Sequence, residues 1–230
     1  MENEYFYCSD FEARETICEI GRRMYAKGFV AANDGNISIK CSGGAIWATP
    51  TGVSKGYMSP EMLVKLDMDG NVLEGYAVPS SEIKMHLRVY RENPGAGSVV
   101  HAHPPVATAF AIAHKELQKP VLPEAIVFLG KVFVAPYGTP GSSEVPDAIE
   151  PFCKDYNAVL LANHGALTWG RDGMEAYFRM ESLEHYATIL LNAERLGGAV
   201  QLNNEQIDRL IEIRKSMGIT GGGIPTQEIE

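Results

Sequence analysis

Cysteine is scarce in this chain. Cys8, Cys18, Cys41 and Cys153 are the four in 230 residues, and none forms a CxxC pair. A short secreted chain held by disulfides would carry a denser framework, so four reduced thiols in a reducing compartment are expected. Basic residues are also few, 20 Lys and Arg against 29 Asp and Glu, for a formal net charge of −9. A general nucleic-acid binder needs a basic surface to displace counterions, which argues against that class. A small anionic substrate is not excluded, because a few backbone N–H groups can hold a phosphate locally. Runs of about 18 apolar residues are absent. The opening segment MENEYFYCSDFEARE is acidic and has no apolar signal region. No membrane partner is expected, and a cytoplasmic location follows. There is no internal repeat, low-complexity tract or Pro/Ser-rich linker. One domain over 1–230 is therefore predicted, with Gly221-Gly222-Gly223 opening a short mobile tail from about 219. What is present is ordinary for a globular protein: 45% hydrophobic and 21% charged residues, enough for a substantial core.

Local patterns place the elements. Ser9 and Glu12 fit a capping box, Ala13, Ile17, Ile20 and Met24 recur at helical spacing, and Gly28 suits a helix end. Asn33-Asp34-Gly35 is a turn; 36–41 alternates as a half-buried strand, and 45–50 returns after Ser42-Gly43-Gly44. That hairpin brings Asn36 and Thr51 to the same end. Ser80 and Ser81 cap an amphipathic helix from Glu82 to its stop at Pro94. Further strands are read at 98–103, 131–135 and 158–162, a short helix near 107–113, a long one at 171–196 and a last one at 206–217. Helices and strands mix without strict βαβ alternation. The predicted fold is therefore α/β of the α+β type: a mixed or mainly antiparallel sheet flanked by helices.

His101 and His103 are two apart in a strand, so their imidazoles share a face and can close on one ion. His164 follows an apolar strand and precedes Gly165, which leaves room for a third ligand. Three imidazoles with one further position suit zinc in a catalytic role, or another divalent transition metal. The competing account of an HxH pair is two surface or core-edge histidines. His86, His114 and His185 sit within helix patterns and are read as structural. Glu82, in a first helical turn, either complements the helix dipole or faces the metal and moves a proton. Gly35 and Asn36, Thr51 and Gly52, and Ser80 and Ser81 each set a hydroxyl or amide donor next to exposed backbone N–H. Singly each is a common turn or cap; together they would make an anion pocket.

The motifs GNIS at 35–38, TPTG at 49–52, PSSE at 79–82, VVHAHPP at 99–105, APYGTPG at 135–141 and LLANHG at 160–165 stand in one order along the chain. Together they resemble the class II aldolase/adducin family over nearly the whole sequence. The resemblance implies a single three-layer domain with a mainly antiparallel central sheet. It implies that His101, His103 and His164 bind one zinc per subunit, joined by Glu82 when substrate is absent. It makes Glu82 the catalytic acid/base and assigns the substrate phosphate to Gly35, Asn36, Thr51, Gly52, Ser80 and Ser81. The reaction implied is reversible cleavage of a ketose 1-phosphate, such as L-fuculose 1-phosphate or a related deoxy sugar, to dihydroxyacetone phosphate and an aldehyde. Such aldolases are homotetramers with active sites at subunit interfaces, and an interface tyrosine serves the aldehyde side. Glu124 stands at that tyrosine's position here, and the family's C-terminal tyrosine falls near Met217, so Glu124 is the candidate aldehyde-side residue, the alternative being a plain loop charge. A pentulose-phosphate 4-epimerase of the L-ribulose-5-phosphate type is an alternative, although its counterpart of Glu82 is typically Asp. Other lyases of the superfamily, decarboxylases included, and a non-catalytic adducin-like binding module are the remaining alternatives.

Overall fold

Ser9 and Glu12 begin the first helix with the predicted reciprocal bonds. The Ser9 hydroxyl accepts from the Glu12 N–H, and the Glu12 carboxylate accepts from the Ser9 N–H. This helix, α1 (Asp10–Ala26), buries Ala13, Ile17, Ile20 and Met24. Gly28 lies just past its end at φ +70°, a turn that a Cβ would strain. The structure, a computed structural model, describes residues 8–225. Among these, β1 (Asn36–Lys40), β2 (Ile46–Ala48), β3 (Val64–Leu66), β4 (Val72–Glu74), β5 (Ser98–Ala102), β6 (Phe133–Ala135), β7 (Ala158–Leu161) and β8 (Gly165–Gly170) form one sheet. Its order is β4-β3-β2-β1-β5-β8-β7-β6. Every pairing is antiparallel except β6 with β7. The other helices are α2 (Ile83–Glu92), α3 (Pro105–Ile112), α4 (Glu144–Cys153), α5 (Gly173–Arg195) and α6 (Asn204–Ser216).

Side-chain alternation along the strands divides the core into two layers. Val100, Ala102 and Ala166 pack with α1, α3 and α5 on one face. Val99, Leu167 and Trp169 pack with α2 and α4 on the other. The predicted three-layer arrangement is thus present. Because both faces are covered, β1 is buried throughout rather than alternating. Three features depart from the sequence expectations. Glu82 itself occupies the N-cap of α2 without a side-chain cap bond, and Ser80 Oγ only accepts its N–H at 3.3 Å. Strands β3, β4 and β8 and helix α4 were not anticipated; α4 carries Pro146 in its first turn, where the missing N–H costs little, and Pro151 near its end. The segment from 219, expected to open a mobile tail, is hydrogen-bonded to the body over its described residues. Gly222 donates to Asp155 O and accepts from Lys131 N, and Arg214 holds Gly223 O, so the segment is stitched to the body. Among the described residues no helix is long and apolar enough to cross a membrane.

Candidate active site

Three elements converge at one end of the sheet. In the β1–β5 ladder Asn36 lies opposite His101. Strands β7 and β8 are joined by a tight turn that holds His164, whose N–H donates to Leu161 O, after Asn163 at φ +56°. Helix α2 starts beside them with Glu82. The Nε2 atoms of His101 and His103 are 3.2 Å apart. Glu82 Oε1 is 3.2 Å from His164 Nε2, and Oε2 is 3.5 Å from His101 Nε2. One nitrogen from each histidine lies within 4.8 Å of the others, a spacing that could hold a metal ion. The opposite ring nitrogens of His101 and His103 are positioned from behind. His101 Nδ1 is 2.9 Å from Ala166 O, on β8, so its proton belongs there and Nε2 is left bare. Asp34 Oδ2 stands 3.5 Å from His103 Nδ1.

The electrostatics suit a cation. Burial pushes the His101 imidazole down to about 3 and also lowers His103, so both present neutral lone pairs. Burial pushes the Glu82 carboxyl up; any proton carried by the His101 or His164 ring, and the Asn36 amide donor, pull it down, and the pull prevails, so the group is ionised. Glu82 Oε1 is buried without a hydrogen-bond partner. A carboxylate oxygen lacking a donor, facing imidazole lone pairs, is a donor set that a divalent cation would satisfy. The residues present therefore fit a bound metal.

The residues expected to form an anion pocket lie around this cluster. Thr51 N donates to Val78 O and Ser80 N to Thr49 O, while Pro50 and Pro79 form a bridge, so the loops at 49–52 and 78–81 are adjacent. Gly35 stands at φ +73°, and a Cβ there would meet Val30 Cγ1 at 2.6 Å and His101 O at 2.8 Å, so only glycine fits this turn. Ser81 is exposed and lies against Gly141 of the APYGTPG segment. Asn36 is nearly fully buried, and its Nδ2 donates to Glu82 Oε2 at 2.8 Å. Glu124 is exposed at the start of the helical turn 125–129, and Met217 caps α6; neither is drawn into the histidine cluster of its own chain. Sequence reasoning missed Lys55. It is buried, and its ammonium donates to Asn33 O at 2.8 Å and Val53 O at 2.6 Å, tying the two glycine-bearing loops together. It also missed that His86, taken as structural, contacts Asn36 directly.

Comparison with known proteins agrees with this geometry. Residues 15–191 match the sequence model of the Class II Aldolase and Adducin N-terminal domain. An L-fuculose phosphate aldolase of Methanococcus maripaludis is 36% identical over 171 residues, 74% of this chain and 92% of that protein. A 3-oxo-tetronate 4-phosphate decarboxylase of Haemophilus influenzae is 33% identical over 190 residues, 81% of this chain and 90% of that protein. A solved L-fuculose 1-phosphate aldolase superposes with a TM-score of 0.83 at 27% identity, covering 93% of this chain and 100% of its own.

Proposed function

The chain belongs to the class II aldolase and adducin N-terminal domain family, a metal-dependent group whose relatives here are lyases, and on that premise we propose that it is a zinc-dependent aldolase. Its substrate would be a ketose 1-phosphate, L-fuculose 1-phosphate or a related deoxy sugar, cleaved reversibly to dihydroxyacetone phosphate and an aldehyde. The observation that carries this reading is the convergence of His101, His103 and His164 beside an ionised Glu82 whose Oε1 lacks a partner.

The three histidines, with Glu82 in the resting site, would hold the ion. Bound zinc would supply Lewis-acid polarisation of the ketose oxygens next to the broken bond. The chain's own groups do the rest. In the synthetic direction the ionised Glu82 takes a proton from carbon 3 of dihydroxyacetone phosphate; in cleavage it returns that proton to the same carbon once the C3–C4 bond has opened. Gly35, Asn36, Thr51, Gly52, Ser80 and Ser81 bind the phosphate and hold the sugar in register, which supplies binding energy remote from the reacting carbons. As the aldehyde forms, the C4 hydroxyl must lose its proton. Glu124 is the candidate acceptor, brought from a neighbouring chain in the homotetramer that the family resemblance implies.

A second reading has specific support. The Haemophilus influenzae relative is named a 3-oxo-tetronate 4-phosphate decarboxylase. Losing carbon dioxide from a 3-oxo acid of that structure leaves the same three-carbon phosphate, so the two reactions share every step except the departing group. Product analysis decides between them. Dihydroxyacetone phosphate with an aldehyde supports the aldolase, and the same phosphate with carbon dioxide supports the decarboxylase. An inverted pentulose phosphate without cleavage would mark an epimerase. Glu82→Gln should keep the fold and the metal yet lose about a hundredfold or more in kcat, the scale of a lost proton carrier. Native release of dihydroxyacetone phosphate by that variant would refute the role of Glu82.

A further inference from the structure

We infer that His86 is a positioning residue of this site: it locks the side-chain amide of Asn36 so that its N–H groups, never its oxygen, face Glu82 and the phosphate. The inference rests on the roles given above to Glu82 and Asn36.

The geometry is an interleaving of two elements. Glu82, His86 and Tyr90 lie four apart at the start of and along α2 and therefore share one stripe. Asn36 and Ser38 are two apart on β1 and share one face. Four helical residues advance about 6 Å and two strand residues about 6.6 Å, so the rows mesh almost in step. The contacts alternate between them. Asn36 Nδ2 is 2.8 Å from Glu82 Oε2, and His86 Nε2 is 2.5 Å from Asn36 Oδ1. His86 Nδ1 is 2.7 Å from Ser38 Oγ, which is 2.8 Å from the Tyr90 hydroxyl. Asn36, Ser38, His86 and Tyr90 are all at most 3% exposed.

The proton on each atom follows by elimination. An ionised carboxylate only accepts, so Asn36 presents Nδ2 to Glu82 and Oδ1 to His86. His86 must then donate from Nε2. Burial pushes this imidazole down to about 3, so it is neutral and its Nδ1 accepts from the Ser38 hydroxyl. Ser38 has no second proton and accepts from Tyr90. An amide nitrogen cannot pass the proton onward as a relay would, so the chain orients groups rather than conducting charge. Without the His86 donor only the Glu82 carboxylate holds the amide, and Asn36 turns over more readily. Its oxygen would then face the Glu82 carboxylate and the substrate phosphate, acceptor against acceptor.

The test compares zinc-loaded variants. His86→Gln keeps a side-chain N–H near the place of Nε2, whereas His86→Met fills similar volume without a donor. We expect His86→Met to lose about tenfold or more in kcat/KM at unchanged zinc content, and His86→Gln to recover most of that loss. In an Asn36→Ala background His86→Met should add little further loss, since the amide it orients is gone. Nitrogen-15 NMR of the native protein should find the His86 proton on Nε2. Equal losses in Gln and Met, additive losses with Asn36→Ala, or a proton on Nδ1 would each overturn the inference. If His86→Met does not fold, His86→Asn replaces it, because its shorter amide reaches toward Ser38 but not Asn36. Glu82→Gln separates the failures. Native turnover in that variant removes the proposed role of Glu82, whereas an inactive Glu82→Gln beside a native His86→Met removes only the role of His86.

Discussion

At the scale of single residues, Lys55 shows how the fold spends stability on a local arrangement. The residue is 1% exposed, and burial pushes its pKa from 10.5 down to about 8 against the pull of Asp34 and Glu82. The sign of the consequence is fixed. Below pH about 8 both folded and unfolded chains hold this proton; between about 8 and 10.5 the unfolded chain binds more of it, so Lys55 makes stability rise with pH across that window. Lys55→Met has no such group. The unfolding free energy of the native protein minus that of Lys55→Met, from denaturant titrations, should increase from pH about 8 to 10.5. A difference that stays flat would contradict the assignment. In return the ammonium ties Asn33 to Val53, and with them the loops that carry Gly35 and Gly52. Nothing in the string SKG at 54–56 announces that role, because it depends on where two distant carbonyls end up.

At the scale of elements, the helices with strong boundary signals were legible. The Ser9–Glu12 box set the start of α1, and the glycine pair at 197–198 followed the end of α5. Strand β8 was not legible. Gly165 and Gly170 bound it at both ends, and the reverse turn before it uses Asn163-His164 rather than a familiar hairpin pair. This omission matters because Ala166, on β8, receives the His101 ring proton. Gly165 also has a packing reason to be glycine. A Cβ there would lie 2.5 Å from His103 Cδ2 and 2.7 Å from Ala102 O. The backbone oxygen cannot yield, so the His103 ring must move. Gly165→Ala should weaken zinc binding by about tenfold or more, comparable to losing an orienting partner of a ligand. Competition with a chelator measures this, and native affinity would show that the close contact relaxes without reaching the ligands.

At the scale of the whole molecule, the site exists only because distant segments meet. HxH spacing placed His101 and His103 on one face, and the ordered motifs linked them to His164 and Glu82. The alternating ladder of Glu82, Asn36, His86, Ser38 and Tyr90 was beyond reach, since it requires the register of α2 against β1. Glu124 shows the limit at the other extreme: it is exposed in its own chain, and the aldehyde-side role proposed for it would need a neighbouring chain to bring it to the site. The central claim is that the three histidines hold one catalytic divalent ion. Zinc added back to chelator-stripped protein, with dihydroxyacetone phosphate release followed at each step, tests it most directly. Activity should be lost on stripping, rise in proportion to added zinc, and saturate at one equivalent per chain. Full activity in the stripped protein, or saturation without one tightly held ion, would contradict the account.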